Sequence, residues 1–185
     1  MELRGPALAL LEIESIARGM VVADAVLKRA QVEIEISEPT TPGKYLLLFS
    51  GGIAEVEESM KAGVELAGST LLDKLFLPQP APGLVRALRG QFFEDWQESI
   101  GIVETQSAAS ALCSSDSALK RAEVQLRQLR LARGIGGKGY FVITGALHMI
   151  ETALEAAAAA IDPQYLIAAE RIQQPAPAFR RSHPI

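Results

Sequence analysis

The chain has 185 residues, 49% of them apolar, a formal charge of −4 and a single cysteine. That length admits one ordinary domain or two small ones, the charge and the lack of a basic stripe exclude a nucleic-acid partner, and one cysteine rules out an intrachain disulfide and fits a reducing cytosol. The opening residues lack a signal peptide's basic start, and no run approaches the ~20 apolar residues of a membrane helix, so a soluble cytoplasmic protein without a membrane partner is expected.

In chain order, residues 8–14 read as an apolar strand. Ser15 then caps a helix whose Ile16, Met20, Ala23 and Leu27 follow helical spacing. Strict alternation over residues 32–36 puts Val32, Ile34 and Ile36 on one face of a half-buried strand. Pro39, Thr40, Thr41, Pro42 and Gly43 compose a loop, since prolines deny ladder hydrogen bonds and glycine permits positive φ. A strand over 45–49 follows, then a helix over 53–67 with Ile53, Val56, Met60 and Val64 inward, then a short edge strand over 75–77. Residues 78–98, with three prolines followed by Phe92, Phe93 and Trp96, read as a linker pinned by aromatics. The second half runs as strand 100–105, helix 108–121, strand 124–131, a glycine loop, strand 140–144, helix 147–161 and strand 165–172, with a loosely ordered tail from Gln173. The loop between strands 32–36 and 45–49 is too short for a parallel crossover, so the two form an antiparallel hairpin in an α/β sandwich.

The halves match because the sequence repeats itself. Residues 8–34 align without a gap to 100–126 at an offset of 92. Asp24-Ala25-Val26-Leu27-Lys28-Arg29-Ala30 returns as Asp116-Ser117-Ala118-Leu119-Lys120-Arg121-Ala122, and Gly43-Lys44 returns as Gly137-Lys138 at an offset of 94. Two domains of roughly 90 residues each lie near the lower end of what folds comfortably alone. Their excess apolar surface is expected to find its outlet in domain–domain and subunit–subunit interfaces. Two copies of one domain in one chain favour a ring-building assembly over a typical enzyme.

No constellation in the chain amounts to an active site. Gly134-Ile135-Gly136-Gly137-Lys138-Gly139 satisfies G-x-G-x-x-G, but a strand follows it where a dinucleotide site needs a helix N-terminus. The phosphate-loop pattern fails as well, with Ala132 at its first glycine and Gly139 after the lysine. These glycines make a tight turn whose bare backbone can approach another chain or a pore. His148 and His183 have no companion at metal spacing, and Cys113 lies mid-helix as a small hydrophobe. Glu12 with Glu104, and Glu57 with Glu151, recur at equivalent sites, as solvated faces or subunit ion pairs would. Lys28 and Lys120 end their helices, where a cation complements the helix dipole.

The segments Leu11-Glu12-Ile13-Glu14-Ser15-Ile16-Ala17-Arg18-Gly19 and Asp24 to Ala30, with the turns Pro42-Gly43-Lys44-Tyr45 and Gly134 to Lys138, resemble bacterial microcompartment shell proteins. Ile102-Val103-Glu104-Thr105 opens the second copy as that family does, and the unpermuted element order is similar to the tandem-domain shell protein of propanediol-utilising compartments. The resemblance implies two ferredoxin-like α/β shell domains with mostly antiparallel sheets, at residues 1–90 and 99–175, with a linker at 91–98 and a tail at 176–185. It implies no enzyme but a homotrimer imitating a hexagonal tile, packed with other hexameric and pentameric shell proteins around metabolic enzymes. Pro39, Thr40, Thr41, Pro42 and Gly43, with Arg133, Gly134, Ile135, Gly136 and Gly137, match positions lining the central pore, through which small metabolites would pass. Lys28 and Lys120 match tile-edge lysines, and Gln79 and Gln174 stand where the family often has an arginine. The propanediol relative has a cysteine in the first loop and holds an iron–sulfur cluster with it; Thr41 stands here, so no cluster or other cofactor is expected. The alternatives are a pore acting as a metal or redox conduit, and a trimeric α/β regulatory protein whose glycine loop grips a nucleotide.

Overall fold

The protein is described by a computed structural model covering residues 5–93 and 95–182. It divides into two compact units. One comprises the described residues up to Pro80 together with Ala132–Gly137; the other comprises Ala81–Leu131 and the described residues from Lys138 onward.

The first half of the chain runs β1 (Ala7–Ile13), α1 (Ile16–Arg29), β2 (Val32–Thr40), β3 (Lys44–Gly51), α2 (Ile53–Ala67) and β4 (Leu71–Leu77). Its sheet has the order β2-β3-β1-β4, with every pairing antiparallel. The second half runs α3 (Pro82–Leu88), β5 (Ser99–Thr105), α4 (Ala108–Arg121), β6 (Gln125–Leu131), β7 (Gly139–Gly145), α5 (Leu147–Ala159), β8 (Leu166–Gln173) and α6 (Pro177–Ser182). Its sheet, β6-β7-β5-β8, repeats the first in topology and direction. Register carries the sequence offsets: Ala7 faces Gly51 where Ser99 faces Gly145, and Ile13 faces Tyr45 where Thr105 faces Gly139. The fold is two tandem α/β sandwiches with antiparallel sheets, as expected.

Local chemistry explains the helix limits. The Ser15 hydroxyl accepts the Arg18 N–H at 3.2 Å, and the Ser107 hydroxyl accepts that of Ser110 at 3.0 Å, so each first helix starts on a matched cap. Lys28 and Arg29, and again Lys120 and Arg121, occupy the last turns, where cations meet the negative end of the dipole. In the first unit, Ala9, Leu11, Ile13, Tyr45, Leu47 and Phe49 form a core with Val22, Val26 and Val56. The alternate residues Leu8, Leu10, Leu46 and Leu48 are buried too, so both faces of β1 and β3 are covered, which explains their unbroken apolar runs.

Several expectations need correction. On α1 the buried residues are Gly19, Val22, Ala23 and Val26, whereas Ile16, Met20 and Leu27 are exposed, as is Ile53 on α2. Helical spacing alone chose the wrong stripe because α1 is apolar on two faces. The alternation in β2 breaks at a bulge: Ile34 faces Phe49 and Ile36 faces Leu48, so Ile36 turns to the opposite side of the sheet. β2 also continues through Pro39 and Thr40, which puts a proline on a sheet edge where its missing N–H is tolerated. β4 is seven residues long rather than three. The presumed linker contains α3, with Pro82 at its first position, and the presumed loose tail contains α6. In this stretch the Phe93 N–H donates to Leu126 O at 3.1 Å, and the Arg127 guanidinium lies 4.0 Å from the Trp96 ring centre and donates to Phe93 O at 2.8 Å.

Candidate functional site

The site expected from the sequence is built on two hairpin turns. In the first, the Gly43 N–H donates to Thr40 O at 2.8 Å, and Gly43 has φ +121°, open only to glycine without strain. The Thr41–Pro42 peptide is cis. Pro39, Thr41, Pro42 and Gly43 are exposed, but Thr40 is buried, so Thr41 supplies the surface hydroxyl.

In the second turn, Ala132 O accepts from the Ile135 and Gly137 N–H groups at 3.4 and 3.3 Å, and Gly134, Gly136 and Gly137 all have positive φ. Arg133, Gly134 and Gly136 are exposed, Ile135 is half-buried and Gly137 is buried. A Cβ added at Gly137 would lie 3.0 Å from Pro42 Cδ and 3.1 Å from Thr41 O, so the two turns meet within the first unit, and glycine is required where they touch. The sequence leads from Gly137 into strand β7, so the glycine turn does not open a helix.

At the turns, Arg133, Lys44 and Lys138 are each paired. Arg133 makes a two-point contact with Glu38, Nε to Oε1 at 3.0 Å and Nη2 to Oε2. Those hydrogen bonds, followed by the charge of Glu38, raise the Arg133 guanidinium above its ordinary value. Lys44 Nζ sits 3.5 Å from Glu12 Oε2, and Lys138 Nζ sits 2.8 Å from Glu104 Oε1. The recurrence of Glu12 as Glu104 therefore marks a duplicated strand ion pair inside each copy. The solvated-face reading fails for Glu12, whose side chain is 1% exposed, against 37% for Glu104. Glu151 pairs with Arg171 at 3.5 Å and Glu57 with Lys61 at 3.0 Å.

The expected edge residues have their own local partners. Lys28 Nζ lies 2.5 Å from Asp24, and Lys120 Nζ lies 2.5 Å from Asp116. Gln79 and Gln174 are exposed, and Gln174 has φ +48°. His148 opens α5, Cys113 is half-buried with its thiol 3.4 Å from Ala160 O, and His183 lies outside the described residues. Glu38 carries no sequence signal of its own, whereas Asp24 and Asp116 do. Their return at the offset of 92, each four residues before a lysine, was the available signal.

Comparison with known proteins returns one family on both halves. The BMC domain matches residues 7–80 and again 99–175. The bacterial microcompartment shell protein PduT of Citrobacter freundii is 38% identical over 151 residues, covering 82% of this chain and 82% of that protein. A microcompartments protein from Desulfitobacterium hafniense superposes with a TM-score of 0.82 at 35% identity, over 95% of this chain and 98% of that one. The fused permuted hexameric shell protein of the RMM microcompartment shares the fold, with a TM-score of 0.63 at 19% identity over 82% and 79% of the two chains.

Proposed function

The chain belongs to the BMC-domain family and is a structural shell protein of a bacterial microcompartment, and from that premise we propose that three copies close into a pseudo-hexagonal tile with a central pore for small metabolites. The observation that carries this reading is the double match: one chain supplies two of the six similar domains a hexagonal tile needs. The exposed apolar residues Ile16, Met20, Val21, Leu27 and Ile53 supply surface for association. Tiles of this kind would pack with hexameric and pentameric shell proteins, with Lys28, Lys120, Gln79 and Gln174 at their edges.

In this reading Pro39 to Gly43 and Arg133 to Gly137 line the pore. Its surface offers the Thr41 hydroxyl and exposed backbone amides of the glycine turns, groups that replace water around a polar solute. Arg133 carries the lining's one charge and Glu38 compensates it, which suits small uncharged polar metabolites better than ions. Native mass spectrometry tests the assembly: a species of three chains is expected, and monomers alone would refute it. Thr41→Trp tests the pore. Assembled shells enclosing an enzyme should turn over external substrate more slowly with Trp at this position, and unchanged turnover would refute a pore at these turns.

A further inference from the structure

A third repeat lies where the domain matches end. Gln79-Pro80-Ala81-Pro82 returns as Gln174-Pro175-Ala176-Pro177 at an offset of 95. Each follows the last strand of its copy and opens a short helix, α3 after β4 and α6 after β8.

The seat of α3 is visible inside the second unit. The Ala81 N–H donates to Asp116 Oδ1 at 2.6 Å. A Cβ at Gly83 would stand 3.4 Å from Leu119 Cδ1, in ordinary contact. Ala81, Leu84 and Ala87 are buried, and on α4 so are Leu112 and Asp116. Asp116 thus divides its carboxylate between two elements, with Oδ2 on Lys120 and Oδ1 on the start of the α3 segment.

The gapless offset of 92 puts the same parts on α1: Met20 for Leu112, Asp24 for Asp116, Leu27 for Leu119 and Lys28 for Lys120. Here they are exposed, Met20 at 55%, Leu27 at 50% and the Asp24 side chain at 61%. Asp24 Oδ2 holds Lys28 as Asp116 Oδ2 holds Lys120, while Oδ1 of Asp24 has no donor among the described residues. Meanwhile Ala176 and Ala178 are exposed on the 174–182 segment, and Phe179, at the position of Leu84, is half-buried.

We propose that the 174–182 segment of a second copy docks on α1 as α3 docks on α4, with the Ala176 N–H donating to Asp24 Oδ1, Ala178 against Leu27 and Phe179 as the apolar anchor. The stripe is exposed in the isolated chain, so its occupant comes from another one. The contact is head-to-tail: each chain gives its C-terminal segment to the next chain's first domain, and three such contacts close a ring. An aromatic anchor in an apolar seat beside a charge-assisted hydrogen bond is the pattern that concentrates binding energy at an interface. The inference rests on the three-copy reading and assigns which segment closes it.

The test is a cysteine pair, Leu27→Cys with Ala178→Cys in a Cys113→Ser background, treated with a short bismaleimide. Covalent dimers and trimers are expected on a denaturing gel, with none from either single variant. A particle that keeps its three-chain mass yet gives no intermolecular link, or gives only an internally linked monomer, overturns the proposal and leaves the trimer standing. A monomeric particle overturns the three-copy reading and the proposal with it. A second measurement uses the chain ended after Gln173: with its far-ultraviolet circular dichroism retained, its assembly should weaken by about tenfold or more, the scale of losing one anchor. Unchanged assembly of that shortened chain also overturns the proposal.

Discussion

Gly19 and Tyr45 form one packing unit, and the second copy rewrites it. A Cβ at Gly19 would fall 2.3 Å from the Tyr45 ring, so only glycine lets α1 lie on that side chain, whose hydroxyl pairs with Ser37 at 2.8 Å. At the equivalent sites stand Ala111 and Gly139, where a Cβ at Gly139 would fall 2.4 Å from that of Ala111. The small residue has moved from helix to strand. Gly19→Ala should therefore destabilise the protein by about 1–3 kcal/mol through overpacking. In a Tyr45→Gly background the same change should cost at least ~1 kcal/mol less, the size of coupling expected of touching residues. Denaturant midpoints of the four proteins measure it, and additive effects would contradict the pairing. The duplicated ion pair separates by burial in the same way. Glu12→Gln should cost at least ~2 kcal/mol, somewhat under the loss for a fully buried pair because Lys44 keeps 21% exposure. Glu104→Gln should cost under ~1 kcal/mol, as exposed pairs do, and equal losses in chemical denaturation would contradict this assignment.

At the scale of elements, the alternation of strands and helices was legible because each copy repeats the periodicities of the other and each first helix carries its serine cap. What escaped had no long period to reveal it. α3 and α6 span seven and six residues, under two turns, and the signal for them in the sequence is the recurring Gln-Pro-Ala-Pro. The β2 bulge leaves the alternating sequence intact while it turns Ile36 over, so the pattern could not show it. The stripe on α1 escaped because that helix is apolar on two faces, and periodicity does not say which of them is buried within the chain. At the turns, the glycines announced tight backbone but not the Arg133–Glu38 contact, whose partners are 95 residues apart. Trp96 lies under the Arg127 guanidinium that also holds Phe93 O, so Trp96→Ala should open this stretch to limited proteolysis, with new cleavage between residues 89 and 98. Unchanged digestion would show that the backbone bonds of Phe93 suffice. Asp116→Ala should cost about 1–3 kcal/mol by leaving the Ala81 N–H buried without its acceptor.

For the whole molecule, duplication is the organising fact. Two copies with one topology and one register have diverged in detail, with Glu12 buried against Glu104 open, and α4 covered against α1 exposed. In the proposed three-chain ring, divergence of this kind would alternate two kinds of domain around a six-domain outline. No helix among the described residues is long and apolar enough to cross a membrane. Electron microscopy of the concentrated protein tests the central claim most directly. Flat particles with six lobes and three-fold symmetry, tiling into sheets as concentration rises, are the predicted result; dispersed monomers, or particles without a three-fold axis, would contradict it.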